Sequence, residues 1–190
     1  MKEQLNSDDK ITVSVERGGS MSENVDLTGV YTAACYDKDG NLKWESRFDN
    51  TVTTQGKNHI LDTYLGGSSY TAKVFLGLIS STSYSAIAAA DTANSHTGWT
   101  EFTSYSQTTR RPPTFSAASS GSKATSSAVA FSINGSGTVK GAFLMANTGT
   151  GSAATKSGFS GALYSAGLFT VGDKTVTSGD TINVTYTASA

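Results

Sequence analysis

The feature that most constrains the fold is a series of short strand-like runs, separated at regular intervals by turn residues. Each run is rich in β-branched, aromatic or other apolar residues, and Gly, Ser, Asn and Asp fill the segments between runs. Strands that recur about every ten residues are typical of β-sandwiches and related closed folds. The sequence therefore predicts an all-β, mainly antiparallel domain, a β-sandwich or jelly-roll-like fold with one short helix. The runs are ITVSVE, AKVFLGLIS, PTFSAAS, SAVAFSIN, GTVKGAFLMAN, GALYSAGLF and DTINVTYTA.

The clearest local signal is the segment TGVYTAACYDKDGNLKWESRF at 28–48. Two strand-like runs flank Asp37-Lys-Asp-Gly-Asn, whose residues tolerate a tight reversal, so we predict a β-hairpin. The spacing D-x-D-x-N also resembles the start of a calcium loop. However, Gly40 stands at the fourth position of that pattern instead of the sixth, and Phe48 occupies the place of the bidentate Glu. No metal site is predicted here.

One helix is predicted within TTQGKNHILDTYLGG at 53–67. Thr54 is the candidate N-cap, and a glycine at 66 or 67 is the candidate C-cap. His59 lies beside the apolar stripe, where a lone histidine is more often packed or solvated than a ligand. The Ala-rich SAIAAADTA at 85–93 is predicted to add a turn or two of helix. The stripe consists of Ile60, Leu61, Tyr64 and Leu65.

A length of 190 residues predicts one domain. We place this domain at 26–190 and predict that residues 1–25 form a flexible arm containing one strand, ITVSVE. The arm cannot bury enough surface by itself to offset the entropy of ordering, so we expect order only in an assembly, by strand addition to a neighbouring subunit. A second flexible, exposed segment is predicted at 147–162, which is rich in Gly, Ser and Thr.

Composition excludes several function classes. Charged residues make up only 15% of the chain and the net charge is −1, which argues against direct binding of nucleic acid. Cys35 is the only cysteine, so an intramolecular disulfide and a cysteine zinc site are excluded, and its strand-like surroundings predict a buried, inert thiol. The N-terminus has no apolar signal region and no run is long enough to span a membrane, so we expect a protein used without export.

Residues that could carry catalysis are sparse. His59 and His96 are the only histidines, and no serine lies in a G-x-S-x-G motif. Asp91 and Glu101 are ten positions apart without a second acidic cluster, and there is no phosphate-binding loop or H-E-x-x-H motif. We therefore predict a protein that is not an enzyme and that needs no cofactor or metal.

The block DTANSHTGWTEFTSYSQTTRRPP at 91–113 is the strongest candidate for a binding role. In one interpretation, Trp99 and Phe102 are core residues and the two arginines are solvated. In the other, the block lies at a protein contact, because Trp, Tyr and Arg concentrate at interface hot spots, and Pro112-Pro113 fixes an extended exit. The predicted interface anchors are Trp99, Tyr105, Arg110 and Arg111.

Three stretches, DKDGNLKWESRFDN, QGKNHILDTYL and AADTANSHTGWTEFTSYSQTTRRP, resemble a family of small virion proteins of tailed bacteriophages. The resemblance spans roughly 28–188, and HTGWTEFTSYS is its most specific part. A Gly-Leu pair in an apolar strand, here Gly77-Leu78, and a closing strand similar to GDTINVTYTASA belong to the same pattern. The family supplies no catalytic residues.

The resemblance implies a structural virion protein, made in the cytoplasm of the bacterial host. The function that we expect is capsid decoration or cementing of the assembled shell, with the major capsid protein or other virion proteins as partners and a homo-oligomer in the assembly. Contact with nucleic acid or a membrane is not expected. One alternative is a tail, collar or adaptor component. Another is a carbohydrate- or receptor-binding β-sandwich, in which exposed Trp99 and Tyr105 would form a sugar platform.

Overall fold

Ten antiparallel strands and one helix form the regular structure of the residues described by a computed structural model, 26–65, 73–148 and 152–190. The prediction of an all-β fold with one short helix is therefore confirmed. The predicted arm at 1–25, including ITVSVE, lies outside the described residues. The elements are β1 (Thr28–Tyr36), β2 (Leu42–Val52), α1 (Thr54–Leu65), β3 (Val74–Ser80), β4 (Glu101–Phe102), β5 (Ser122–Ala124), β6 (Val129–Ser132), β7 (Gly137–Ala146), β8 (Ala162–Leu168), β9 (Lys174–Val176) and β10 (Thr181–Ser189).

The strands form two sheets that share β2. In the first sheet, β2 pairs with β1, β1 with β10, and β10 with both β5 and β6. In the second sheet, the end of β2 pairs with β8, followed by β7, β3 and β4, and β9 pairs with the start of β7. The strand β2 passes from the first sheet to the second between residues 49 and 50, because Asp49 pairs with β1 whereas Asn50–Val52 pair with β8.

The main hydrophobic core lies between the two sheets. It combines Tyr31, Phe131 and Ile182 from the first sheet with Leu76 and Leu144 from the second, and all five side chains are buried. Burial of each such side chain contributes about 1.5–3 kcal/mol relative to exposure. This core accounts for the alternating buried positions of β1 and β10.

The outer face of the second sheet carries a smaller core. Phe75 and Ile79 of β3 and Phe143 of β7 point to this face, where Trp99 of the β3–β4 connection covers them. Burial on both faces explains why AKVFLGLIS and GAFLMA are continuous apolar runs without alternation. The strand β3 is nevertheless second from the edge of its sheet, since only the two-residue β4 follows it. The helix predicted at 85–93 is wrong, because this part of the covering connection has no helical turn.

The predicted hairpin is confirmed as β1 and β2. Its turn is closed by Asp37, whose Oδ1 accepts hydrogen bonds from the backbone N–H groups of Asp39 and Asn41 at 2.9 and 2.8 Å. Gly40 has a φ of 84°, which a residue with a side chain rarely adopts. Hydrogen bonds from Asn41 hold the pKa of Asp37 below its ordinary value.

The helix α1 begins one residue earlier than predicted. Thr53, and not Thr54, is the N-cap, because its Oγ1 accepts the N–H of Gly56 at 3.0 Å. The same hydroxyl donates to the carbonyl oxygen of Leu163, which fixes the cap against β8. The predicted apolar stripe is wrong in part, because Leu61 and Leu65 are 55% and 74% exposed. The candidate C-cap glycines lie outside the described residues.

The segment PTFSAAS does not form a regular strand, but it belongs to a hairpin at the edge of the first sheet. We call residues 114–126 the edge hairpin. Phe115 bridges to Thr125 and Ser119 to Ser122, and the turn between them places Ser120 and Gly121 at φ values of 50° and 71°. The inner strand of this hairpin contains β5, which the sequence analysis did not predict; β4 and β9, also very short, were missed too. No helix in the described part of the chain is long and apolar enough to cross a membrane.

Candidate functional site

The central block 91–113 lies against the outer face of the second sheet, where one aspartate organises the covering connection. Asp91 Oδ2 accepts the indole N–H of Trp99 at 2.9 Å and the backbone N–H of Ala88 at 3.0 Å. The Trp99 ring packs against Phe143, with the ring centroids 5.1 Å apart. The polar end of the indole is thereby satisfied while its rings complete the smaller core.

Behind Trp99, Glu101 and Arg110 form a buried ion pair. Arg110 Nη2 lies 2.9 Å from Glu101 Oε2, and each side chain is 3% exposed. Arg110 also donates to the carbonyl oxygens of Ala153 and Gly158, at 2.9 and 3.1 Å, and its guanidinium lies over the Phe143 ring. The two charges therefore neutralise each other and tie the central block to the segment 152–159.

A small cavity of about 150 Å³ opens at this point. Its floor contains the Glu101–Arg110 pair and Phe143, and its walls include three aromatic side chains. The His96 ring lies 4.3 Å from the Trp99 ring and 6.3 Å from the Phe159 ring, measured between centroids. Phe159 is 62% exposed, so the rim of the cavity presents an apolar ring to solvent. A volume of this size accommodates one medium-sized side chain or small ring.

The structure places three of the four predicted interface anchors inside the chain. Trp99, Tyr105 and Arg110 are 3%, 1% and 3% exposed, and only Arg111 is half-buried. In this conformation Trp99 and Tyr105 offer no exposed face to a sugar, and Arg110 is not solvated. The role of the block at an interface stays a prediction. Of the four predicted anchors, only Arg111 is available to a partner, together with the cavity rim and the exposed Ser and Thr residues of the block.

Tyr105 belongs to the main core, and its hydroxyl contacts the Glu101–Arg110 pair. Its ring stands edge-on to Phe131, its hydroxyl lies 3.4 Å from Glu101 Oε1, and Lys156 Nζ lies 4.0 Å from its ring centroid. Burial, reinforced by the Glu101 carboxylate, raises the pKa of the Tyr105 hydroxyl well above its ordinary value. The phenol is thus a neutral packing group and is not poised as a base.

Phe159 and the segment that contains it were not predicted to belong to a site. The prediction that 147–162 is exposed holds at several described positions, such as Ser152 and Ser160, but Ala153 is fully buried and the Ala154 carbonyl oxygen accepts the backbone N–H of Arg110 at 2.7 Å. The signal available in the sequence was the single aromatic residue in a run of Gly, Ser and Ala. Glu101 was weighed only as a catalytic carboxylate with Asp91, whereas each of the two has a separate structural partner.

The groups near the cavity that could ligate a metal ion or titrate are few. No group of three His, Cys, Asp or Glu side chains that could hold a metal ion occurs among the described residues. His96 Nδ1 lies 3.0 Å from the carbonyl oxygen of Thr92, which can only accept, so Nδ1 carries the proton. His59 lies on α1 and burial lowers its pKa. The cavity lining combines aromatic rings with the internally neutralised Glu101–Arg110 pair, so it suits a small, uncharged group.

A wider cleft of about 440 Å³ lies where β2 leaves the first sheet for the second. Asp49 and Thr51 line one side, and Tyr84 and Ile87 of the covering connection line the other. Lys140 Nζ lies 4.6 Å from the centroid of the Tyr84 ring. This cleft is open and mixed in polarity, and nothing in its geometry singles out one ligand.

Comparison of the chain with protein-family models, with curated proteins and with solved structures found no match.

Proposed function

We propose that the protein is a non-enzymatic structural component of a tailed-bacteriophage virion, a decoration or cement protein that binds the assembled shell. The resemblance of the stretches around HTGWTEFTSYS supports the virion role. The major capsid protein is the expected partner, and the protein is expected to form a homo-oligomer in the assembly.

The observation that carries a binding role without catalysis is the state of the central block. Both of its acidic side chains are paired within the chain, Asp91 with the Trp99 indole and Glu101 with Arg110. The exposed residues of the block itself are mainly Thr and Ser. Beside them, the exposed Phe159 ring stands at the mouth of a cavity large enough for one side chain. An exposed aromatic ring beside a small pocket is a common arrangement at protein contacts.

The alternative within the same biology is a tail, collar or adaptor component. Copy number separates the two, because decoration requires hundreds of copies per particle and tail positions require a few or about a dozen. Gel quantitation of purified particles against the major capsid protein measures this number. A ratio that corresponds to a few copies would overturn the decoration role, and absence from particles would overturn the virion role.

A pair of matched variants tests the contact surface. Phe159→Ser removes the exposed ring at the cavity rim, whereas Val171→Ser removes an exposed apolar side chain, 74% exposed, that does not line the cavity. If the rim is the contact, Phe159→Ser should weaken binding to particles lacking the protein by on the order of 10- to 100-fold, and Val171→Ser should change it little. Equal binding of both variants and the parent protein would remove the rim from the contact.

A further inference from the structure

The outer strand of the edge hairpin, residues 114–119, is an uncovered edge of the first sheet. Every residue from Ser116 to Gly121 is exposed. On its inner side this strand is paired, because Ser116 N–H donates to the Ala124 carbonyl oxygen at 3.0 Å and Ser126 N–H donates to that of Thr114 at 2.8 Å.

The pairing on the inner side determines which groups face outward. Successive peptide groups of a strand point to opposite edges, so the N–H and C=O groups of Phe115 point away from the hairpin. The register shifts by one residue between the Phe115–Thr125 and Ser119–Ser122 bridges, and Ala117 lies within this shift. The N–H and C=O groups of Phe115 and Ala117 make no backbone hydrogen bond with the other described residues. They form a row of free donors and acceptors on which another strand can pair.

This edge lacks two of the features that usually protect a sheet edge, although the hairpin has a one-residue register shift and Lys123 Nζ donates to the Ser116 carbonyl oxygen at 3.0 Å. Natural edge strands carry charged residues, prolines or bulges that prevent pairing with other chains. The stretch TFSAASSG at 114–121 contains no charge and no proline, and its side chains beyond Phe115 are small. An edge strand without a charge or a proline of its own is expected to be covered in the protein as it functions.

The start of β1 lies at the same end of the first sheet as the turn of the edge hairpin. Thr28 pairs with Ser189, Ser189 pairs with Ser122, and Ser122 pairs with Ser119. A strand beyond the outer strand would therefore lie four strand spacings from β1, about 19 Å. The 11 residues 17–27 can span up to about 36 Å, so a segment that ends at residue 16 reaches the edge.

The sequence before β1 contains one segment with the required pattern. In ITVSVE at 11–16, Ile11, Val13 and Val15 alternate with Thr12, Ser14 and Glu16. Six residues match the length of the outer strand. The apolar set can lie on the side where Phe115 packs against the main core.

We propose that residues 11–16 of the same chain add to the outer strand of the edge hairpin as an additional strand. Backbone hydrogen bonds supply the recognition, as in other cases of strand addition. The edge gives this segment a partner within its own chain, so residues 11–16 are ordered in the isolated protein, in contrast to the expectation from the sequence. The inference does not depend on a virion role.

The test is backbone amide exchange of the full chain, measured by NMR at two protein concentrations. In the parent protein, the amides of Phe115 and Ala117 should exchange on the order of 10- to 100-fold more slowly than in the variant Val13→Pro/Ser14→Pro. The two prolines remove the N–H group on both edges of the segment, so the variant prevents pairing in either register. The amides of Ser116 and Ser119, which are bonded within the hairpin, should stay protected in both proteins and show that the fold is intact.

The control is Ser20→Pro/Ser22→Pro, which places the same number of prolines in the connecting residues and should leave the protection of Phe115 and Ala117 unchanged. Rapid exchange of these two amides in the parent protein would overturn the proposal. Protection that persists in Val13→Pro/Ser14→Pro would overturn it too, because another group would then cover the edge. Protection that appears only at the higher concentration would assign the edge to a second copy and overturn the own-chain form.

Discussion

Arg110 and Glu101 are buried together, with Nη2 and Oε2 2.9 Å apart and each side chain 3% exposed. The two residues flank the turn-rich stretch between β4 and the prolines, and Arg110 also holds the carbonyl oxygens of Ala153 and Gly158. Both charges are compensated within the chain. A variant that removes one of them leaves the other buried without a partner, which is more costly than removal of both.

We therefore expect Arg110→Ala to lower the free energy of unfolding by about 3–5 kcal/mol. Arg111→Ala is the matched control, because the adjacent Arg111 side chain makes no hydrogen bond or ion pair with the described residues, and the expected change is below about 1 kcal/mol. Urea denaturation followed by tryptophan fluorescence measures both values.

Replacement of the whole pair, Glu101→Leu/Arg110→Met, should be less destabilising than Arg110→Ala. Equal, small effects of the two alanine variants would show that the ion pair is not coupled to the fold.

Gly77 gives a second prediction, because it lies opposite Phe143 in the β3–β7 register and the Phe143 ring covers it. A Cβ atom at this position would overlap the ring, which is itself held between Trp99 and Arg110. Gly77→Ala should therefore lower the free energy of unfolding by about 1–3 kcal/mol through overpacking.

The control for this variant is Gly135→Ala, where a Cβ atom would meet only the side chain of Ser104, at 3.3 Å. Its effect on the midpoint of thermal unfolding should be small. If Gly77→Ala melts at the same temperature as the parent protein, the Phe143 ring is free to move away from β3.

The Lys43–Asp180 pair predicts a loss of stability in acid. Asp180 is 3% exposed, and Lys43 Nζ lies 2.5 Å from its Oδ2. Burial alone would raise the pKa of Asp180, but the hydrogen bonds from Lys43 and from the Thr177 N–H outweigh it, so the pKa lies below 3.8. A carboxylate with a lowered pKa stabilises the folded state above its ordinary pKa, and this stabilisation is lost as the pH falls through the lowered value.

Asp180→Asn should therefore lower stability at neutral pH by about 1–3 kcal/mol and flatten the decline of stability below about pH 4. The same hydrogen bond raises the pKa of Lys43, whose contribution is present below 10.5 and is lost only as the pH rises through the raised value. Urea midpoints between about pH 2 and pH 7 provide the measurement. Asp173→Asn removes a more exposed partner, of Lys140, and should change neither quantity appreciably. An unchanged acid limb in Asp180→Asn would contradict the assignment.

The elements that local sequence patterns determine were predictable. The reversal at Asp37–Asn41 and the continuous apolar runs of β3 and β7 show in the sequence because turn chemistry and burial act on neighbouring residues. The helix start was less certain. Two adjacent threonines are equally suitable caps, and Thr53 is selected by its contact with Leu163, 110 positions away.

The candidate site was much less predictable, because contacts between distant segments determine it. Arginine is usually solvated, and nothing local indicates that Arg110 is enclosed by Glu101 and by Ala153, which is 43 positions further along the chain. Trp99 was correctly weighed as a core residue in one of two interpretations, but the choice depends on Asp91 and Phe143. Contacts between distant segments decide whether such residues face a partner or the interior.

Cys35 provides a test of the main core itself. The side chain is fully buried on β1, and burial, with a further effect of the Asp180 carboxylate, raises the pKa of its thiol to about 11. The thiolate is the reactive form, so at about pH 8 a native thiol of this kind is both enclosed and protonated. A thiol reagent should label Cys35 only through unfolding, at a rate on the order of 10³-fold or more below that of the protein in urea. Ser178→Cys adds a thiol at an exposed position of the β9–β10 turn, so this variant should show one fast and one slow labelling event. Two fast events in the folded Ser178→Cys variant would mean that the first sheet opens at β1 without global unfolding. Such opening is incompatible with a core that joins Tyr31, Phe131 and Ile182 in one cooperative unit.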